Sequence, residues 1–179
     1  LAGTETANFV ENYSTSAVGT GLTLVPSGSV SDGNNGANYA ITFVNVTTGA
    51  ITKAASSIVI TAVPVTLTYG ASVSLTASVP TNATGTVTFR DSANNTLCTD
   101  TSIVGGGANC SWTPSSATNY IVSATYSGDS NYSASSTTTS VTVSVSKASL
   151  TVTANALTKT YGATDPTLTY TVSGLVNGD

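Results

Sequence analysis

An all-β fold is predicted by three features of this 179-residue sequence. Serine and threonine supply 61 residues, and threonine and valine suit the pleated, half-buried surface of a sheet. Glu, Lys, Gln, Met and Arg, which favour helices, are nearly missing. Short runs of alternating apolar and polar residues are separated by turn-forming residues. A chain of this length has room for one or two β-sandwich domains.

The balance of charge narrows the classes of partner and compartment. Four Lys and Arg residues against eight Asp and Glu residues give a net charge of -4, so we expect no nucleic-acid partner. Charged residues make up only 7% of the chain, which is unusual for a cytosolic protein and favours a secreted one. No apolar run is long enough to span a membrane, so no membrane contact by this segment is expected. An extracellular location is therefore predicted.

Two similar short stretches divide the chain. They are residues 52–56 (Thr-Lys-Ala-Ala-Ser) and 146–149 (Ser-Lys-Ala-Ser), and each follows a strand-like run. Neither is rich in glycine or proline, so both are interpreted as tight inter-domain joints, with Lys53 and Lys147 within them. The predicted segments are residues 1–55, 56–146 and 147–179.

The middle segment carries the clearest strand pattern. Period-two alternation, which places one set of side chains on a core face, occurs in residues 73–79, 86–89, 120–126 and 140–145. Clusters of Pro, Gly, Asn, Asp and Ser separate these runs. About seven strands at this spacing predict an immunoglobulin-like β-sandwich.

The two cysteines, Cys98 and Cys110, flank a run of three glycines at residues 105–107. If the chain folds back at the glycines, one hairpin brings the two sulfurs opposite each other. We therefore predict a disulfide, with two free buried thiols as the alternative; a disulfide implies an oxidising compartment. Trp112 lies two residues after Cys110 and is expected to pack against the disulfide or the sheet, rather than to stand exposed for ligand stacking.

Three motifs of the middle segment resemble one known family. They are residues 68–70 (Thr-Tyr-Gly), 85–91 (Gly-Thr-Val-Thr-Phe-Arg-Asp) and 126–132 (Tyr-Ser-Gly-Asp-Ser-Asn-Tyr). Together they resemble the bacterial Ig-like repeat domain, the Big family. The resemblance covers the whole middle segment, and the paired cysteines fit a variant of that family. It implies a module of large bacterial surface proteins and adhesins, in which such domains occur in tandem.

The outer segments resemble two complementary parts of another bacterial surface module, the MBG/YDG repeat domain. Residues 150–179 resemble its opening strands and include Thr-Tyr-Gly at residues 160–162, which places Tyr161 at the position equivalent to Tyr69. Residues 37–44 and 49–54 resemble its closing strands. The chain therefore looks like one period of a longer array of tandem immunoglobulin-like β-sandwich domains, divided inside an MBG/YDG-like domain.

The divided domain needs its second part for a physical reason. About 33 residues of sandwich strands without a partner cannot bury an apolar face, and their open edges favour aggregation. We therefore expect residues 147–179 to be completed by residues 1–55 of the next copy, head to tail. A covalent tandem array and a strand-exchanged polymer both fit. If both segments fold together within one chain, a compact two-domain monomer replaces the array.

Catalytic chemistry is not expected. Without histidine there is no Ser-His-Asp triad, the carboxylates are scattered along the chain, and no cofactor is implied. Asp32 and Asp129 begin oxygen-rich loops that are weak candidates for calcium, with ordinary turn chemistry as the alternative. Two functions remain: a structural repeat unit of a stalk, fibre or filament, or an adhesin module that binds a cell-surface sugar or protein.

Overall fold

The computed structural model describes residues 3–62 and 66–179, so residues 1–2 and 63–65 of the predicted segments lie outside the described part. Every regular element in the described residues is a β-strand, which confirms the all-β prediction. These residues form two compact units. The first holds residues 3–55 and Asp129–Ser133, and the second holds Ser56–Gly128 and Ala134–Asp179. The tandem arrangement of complete domains stays a prediction.

The first unit contains one three-stranded antiparallel sheet. Its strands are β1 (Thr6–Tyr13), β2 (Gly19–Ser31) and β3 (Val46–Ile51), with β2 in the centre. β1 and β3 are therefore the edges of this sheet. The pairing of β2 with β3 is irregular on both sides of Leu22, next to Gly21, whose φ is +69°. No strand was predicted from the sequence at β1 or β2, because glycines and a proline interrupt the alternation of β2.

Residues 37–44, which the resemblance to closing strands led us to expect in a sheet, do not form a strand. A turn begins at Asp32, and the loop that follows brings Phe43 to Phe9 of β1, where the ring centroids are 6.0 Å apart and the rings meet edge to face. This expectation was wrong because residues 37–45 form a turn and a loop, in which Phe43 contacts Phe9 of β1, instead of a strand. Residues 49–51 do lie in a strand, β3.

The second unit contains the immunoglobulin-like sandwich. Its strands are β4 (Val59–Ala62), β5 (Thr66–Thr68), β6 (Val73–Ser78), β7 (Val87–Arg90), β8 (Thr96–Asp100), β9 (Gly107–Trp112), β10 (Asn119–Tyr126), β11 (Ser135–Ser136) and β12 (Val141–Ser146). One sheet has the order β4-β6-β9, and the other has the order β5-β12-β10-β7-β8, with β11 paired to β10. β5 runs parallel to β12, whereas the neighbouring strands in the rest of the two sheets are antiparallel.

The core of the sandwich follows the alternation of its strands. In β6 the side chains of Val73, Leu75 and Ala77 are buried and those of Ser74 and Ser78 are exposed, as the period of two predicts. Three strands of the facing sheet also contribute apolar side chains with almost no exposure. They are Val87 and Phe89 of β7, Val122, Ala124 and Tyr126 of β10, and Val143 of β12.

The end of the chain forms a two-stranded antiparallel sheet, β13 (Thr151–Ala154) with β14 (Tyr170–Ser173). This pair reproduces the pairing of β4 with β6, because in both cases the first strand after a Lys-Ala joint pairs antiparallel with the strand that follows a Tyr-Gly turn. β6 also pairs with β9 on its other side, whereas β14 pairs only with β13 in the described residues. Two strands alone are marginally stable in water.

Candidate functional site at the joints and open faces

Cys98 and Cys110 form a disulfide, as the sequence predicted, but the pairing is not across one hairpin. Cys98 lies on β8, at the edge of one sheet, and Cys110 lies on β9, at the edge of the other. Their Cα atoms are 6.0 Å apart. The disulfide therefore joins the two sheets. The hairpin placement was wrong because the chain crosses between the sheets after β8, before the glycine turn.

The glycine turn itself is present and tight. Val104 and Gly107 exchange two backbone hydrogen bonds, and both Gly105 and Gly106 have positive φ, +58° and +79°. Two central residues with positive φ are the requirement of the hairpin turn that glycine favours. This geometry gives the glycine run a local structural role.

Asp100, which the sequence analysis did not single out, is a buried carboxylate beside the disulfide. It is 8% exposed and accepts hydrogen bonds from the backbone N–H groups of Ser102, at 2.8 Å, and Asn109, at 2.7 Å. These bonds tie the connection after β8 to β9. Because the partners are backbone groups of non-consecutive residues, only the position of Asp100 before a turn could have suggested this role from sequence.

Trp112 is buried in the sandwich. It is 8% exposed, pairs across strands with Val73, and meets Tyr120 edge to face with ring centroids 4.8 Å apart. The indole thus packs within the sheet region, which is the first of the two alternatives drawn from the sequence.

The two calcium candidates act as acceptors in local turns. Asp32 accepts backbone N–H groups of Asn34, Gly36 and Asn38 at 2.7–3.0 Å. The Asn38 bond, assisted by the other two, lowers the pKa of Asp32 below its ordinary value. Asp129 accepts two backbone N–H groups, both through Oδ1 at 2.8 Å. No cluster of three or more potential metal ligands occurs in the described residues, and calcium binding stays a prediction.

Lys53 lies between β3 and β4 and contacts the loop at residues 129–133. Its Nζ donates to the backbone oxygen of Asp129. The next residue, Ala54, donates its N–H to Asn131 at 2.8 Å and accepts the N–H of Ser133 at 2.9 Å. Lys53 and Ala54 are thus held against residues 129–133 within the first unit.

Lys147 lies between β12 and β13, beside an open cavity of about 400 Å³. The cavity lies where the Tyr-Gly turn after β5 meets the end of the chain, and its lining includes Tyr69, Leu150 and Val176. Gly70, with φ +95°, faces Val176 so closely that an added Cβ would lie 2.7 Å from the valine Cβ. A glycine is therefore required for this contact.

The β13–β14 sheet has one apolar face, and it is uncovered. Val152 pairs with Val172 and Ala154 pairs with Tyr170, so these four side chains share one face, while the opposite face carries hydroxyl groups. Val152 is 59% exposed and Tyr170 is 67% exposed. Every residue from 151 to 175 is exposed. We call this surface the C-terminal open face.

The sheet of the first unit has a second uncovered apolar face. Tyr13, Leu24 and Val46 are aligned across the three strands, and the Tyr13 hydroxyl donates to the Ala50 oxygen at 3.0 Å. The side chains of Phe9, Tyr13, Phe43 and Val46, which we call the N-terminal open face, are each 44–47% exposed. Val30 is the only large apolar side chain that is buried within the described part of this unit.

No helix in the described residues is long and apolar enough to cross a membrane.

Comparison with known families assigns two parts of the chain. Residues 60–146 match the bacterial Ig-like domain (group 3), and residues 150–179 match the MBG domain (YGX type). Domains of both kinds are non-catalytic and typically occur in bacterial surface or extracellular proteins. No curated protein and no solved structure matches the chain. The resemblance of residues 1–55 to closing MBG strands stays a prediction.

Proposed function

Because residues 60–146 belong to the bacterial Ig-like family and residues 150–179 to the MBG family, we propose that this chain is a structural repeat unit of an extracellular bacterial stalk, fibre or filament. In this proposal residues 147–179 of one copy and residues 1–55 of the next form one MBG-like domain. Units joined in this way propagate head to tail, because a heterologous contact that does not close generates a filament.

The observation that carries the proposal is the pair of open apolar faces at the two ends of the sequence. The C-terminal open face exposes Val152 and Tyr170, and the N-terminal open face exposes Phe9 and Phe43. Sandwich sheets bury such faces against a second sheet about 10 Å away. The Ig-like domain has that second sheet, whereas the described residues of each outer segment form one sheet. Each outer segment therefore offers what the other lacks.

A fusion of two copies tests this proposal against the single chain. The fusion contains one internal junction at which the two faces can meet. Calorimetry of the fusion should show one cooperative unfolding transition that the single chain lacks. If the fusion unfolds as two independent single chains, with no added transition, head-to-tail completion is wrong.

Denaturing electrophoresis of the native material separates the two forms of the array. A covalent array runs as one very large species, whereas a strand-exchanged polymer dissociates into units of 17.7 kDa. The alternative function, an adhesin module, requires aromatic side chains exposed as a ligand platform. Trp112 does not serve that purpose, since it is buried against Tyr120.

A further inference from the structure

Two sequence elements that pair inside the Ig-like domain occur a second time at opposite ends of the chain. The first is Thr-Leu-Thr-Tyr-Gly-Ala at residues 66–71, repeated as Thr-Lys-Thr-Tyr-Gly-Ala at residues 158–163. The second is Val-Ser-Lys-Ala at residues 145–148, repeated as Ile-Thr-Lys-Ala at residues 51–54. The structure shows how the first members of these two sets fit together.

Inside the Ig-like domain, β5 adds to β12 as a parallel edge strand. Thr66, Leu67 and Thr68 lie opposite Ser144, Val145 and Ser146. The Tyr69 N–H then donates to the Ser146 oxygen at 2.8 Å, and the Ser146 hydroxyl donates to the Leu67 oxygen at 3.2 Å. The strand and the joint are thus held by both backbone and hydroxyl hydrogen bonds.

Neither of the second members, residues 158–163 and residues 51–54, forms the strand pairing that its counterpart forms. β3, which ends two residues before Lys53, pairs with β2 on one side and is the edge of its sheet. Residues 158–160 form no strand, and the ring of Tyr161 is fully exposed. Gly162 has φ +82° with open space around its Cβ position, whereas the equivalent position on Gly70 is filled by Val176.

We propose that residues 158–160 of one copy add as a parallel strand to the free edge of β3 in the next copy, a contact that rests on the head-to-tail function proposed above. The joints fix the register, since Lys53 is equivalent to Lys147. Thr158, Lys159 and Thr160 then lie opposite Ala50, Ile51 and Thr52. The Tyr161 N–H donates to the Thr52 oxygen, and the Thr52 hydroxyl takes the part of the Ser146 hydroxyl. Strand addition to an exposed edge supplies affinity through main-chain hydrogen bonds.

Lys159 is the one difference between residues 158–163 and residues 66–71, and it occupies the position of half-buried Leu67. Lysine on an edge strand is tolerated, since its aliphatic stem covers apolar surface while the ammonium group reaches water. In this chain the ammonium group already pairs with the exposed carboxylate of Asp165. The lysine also disfavours pairing of residues 158–160 with other sheet edges, because a charged edge disfavours unspecific sheet pairing.

Hydrogen exchange with mass spectrometry on the two-copy fusion tests the proposal. The two copies yield identical peptides, so a junction formed once per molecule splits the isotope envelope into equal protected and unprotected halves. We expect this split for the peptide covering residues 158–161 and for the one covering residues 50–52. In the single chain each peptide should exchange as one population, without the protection that the junction adds.

A matched pair of variants in the first copy identifies the backbone contact. Tyr161→Pro removes the N–H that the proposed hydrogen bond needs, and should abolish the protected half for residues 50–52. Tyr161→Ala removes the exposed ring but keeps the N–H, and should retain the protected half. Loss of the protected half in both variants, or in neither, overturns the proposed contact.

The remaining outcomes separate this contact from the function beneath it. A protected half for β14 without one for residues 158–161 means that the copies join without this strand, so the proposed contact is wrong and the head-to-tail function stands. A single population without added protection for all these peptides removes both. Protection of residues 158–161 in the single chain, at a concentration at which it is monomeric, means that the strand pairs within one chain, and also overturns the proposal.

Discussion

At the scale of single residues, carboxylates that accept backbone N–H groups determine how the loops are held. Asp100 does so with a side chain that is only 8% exposed, so that little water can reach it. Asp91 accepts the backbone N–H groups of Ala93 and Asn95, at 2.9 and 2.8 Å, in an exposed turn. Loss of these hydrogen bonds should therefore cost more stability at Asp100 than at Asp91.

Substitution of Asp100 measures that difference. Asp100→Ala should lower the free energy of unfolding by about 1–3 kcal/mol, because two partly buried hydrogen bonds to backbone N–H groups are lost. Asp100→Asn keeps one acceptor oxygen and should cost less. Urea unfolding of these variants supplies the values, with Asp91→Ala as the exposed control. A loss for Asp91→Ala as large as that for Asp100→Ala contradicts the importance of burial.

The Asp32 loop should respond to acid in a defined direction. Its folded pKa is lowered by the N–H of Asn38, followed by those of Asn34 and Gly36, so its contribution to stability is present above the unfolded value near 3.8 and is lost as pH falls through the folded pKa. We expect the amide proton shifts of these three residues to titrate together, with a midpoint below 3.8. Asp32→Asn should remove the titration; a midpoint above 3.8 contradicts the sign.

At the scale of elements, the disulfide and the Tyr-Gly turns link strands that local sequence keeps apart. Cys98 and Cys110 join the edge strands β8 and β9 of different sheets. Val176, which follows β14 in the sequence, packs against Gly70. Both contacts join parts of the fold that strand hydrogen bonding leaves separate.

Removal of the disulfide should destabilise the sandwich. Its cysteines are 12 residues apart, and a loop near this length stabilises by about 3 kcal/mol through restriction of the unfolded chain. The double variant Cys98→Ser, Cys110→Ser should lower the free energy of unfolding by that amount in urea, and reduction of the native protein should match it. Two alkylatable thiols in the unreduced native protein would show that the bond is absent.

The two Tyr-Gly turns offer a matched comparison. Gly162→Ala places a Cβ at positive φ in open space and should cost about 1–2 kcal/mol at most, the strain of a left-handed backbone. Gly70→Ala carries similar strain and also a clash with Val176, so it should lower the unfolding free energy further. Thermal unfolding of the single chain compares the two variants. Equal effects would mean that Val176 yields without cost.

At the scale of the whole molecule, burial is concentrated in the Ig-like domain. Its core side chains, such as Leu75 and Phe89, have no exposure, whereas residues 151–175 are exposed throughout. Segments with few buried contacts open at low free energy. The single chain is therefore expected to be unevenly protected, and joined copies more evenly.

Limited proteolysis should reveal this unevenness. In the single chain we expect rapid cleavage within residues 151–175 and slow cleavage within residues 66–146, because proteases act on segments that open locally. In the two-copy fusion, cleavage in the region of residues 151–175 should fall by about half, since one of its two examples lies in the junction. Mass spectrometry of the fragments gives the rates. Equal rates in both proteins contradict completion at the junction.

The sequence alone determined the all-β class, the sandwich strands β6, β7, β10 and β12 with their alternating faces, and the two cysteines that pair. These features depend on alternation and turn residues, which act over a few neighbouring positions, as β6 and Gly105-Gly106 show. Only the tertiary structure decided that the disulfide joins two sheets, that Asp100 accepts the backbone N–H of Asn109, and that Phe43 packs onto Phe9 of β1. The physical reason is that period two specifies which side chains share a face but not which strand lies beside another. That choice depends on long-range packing.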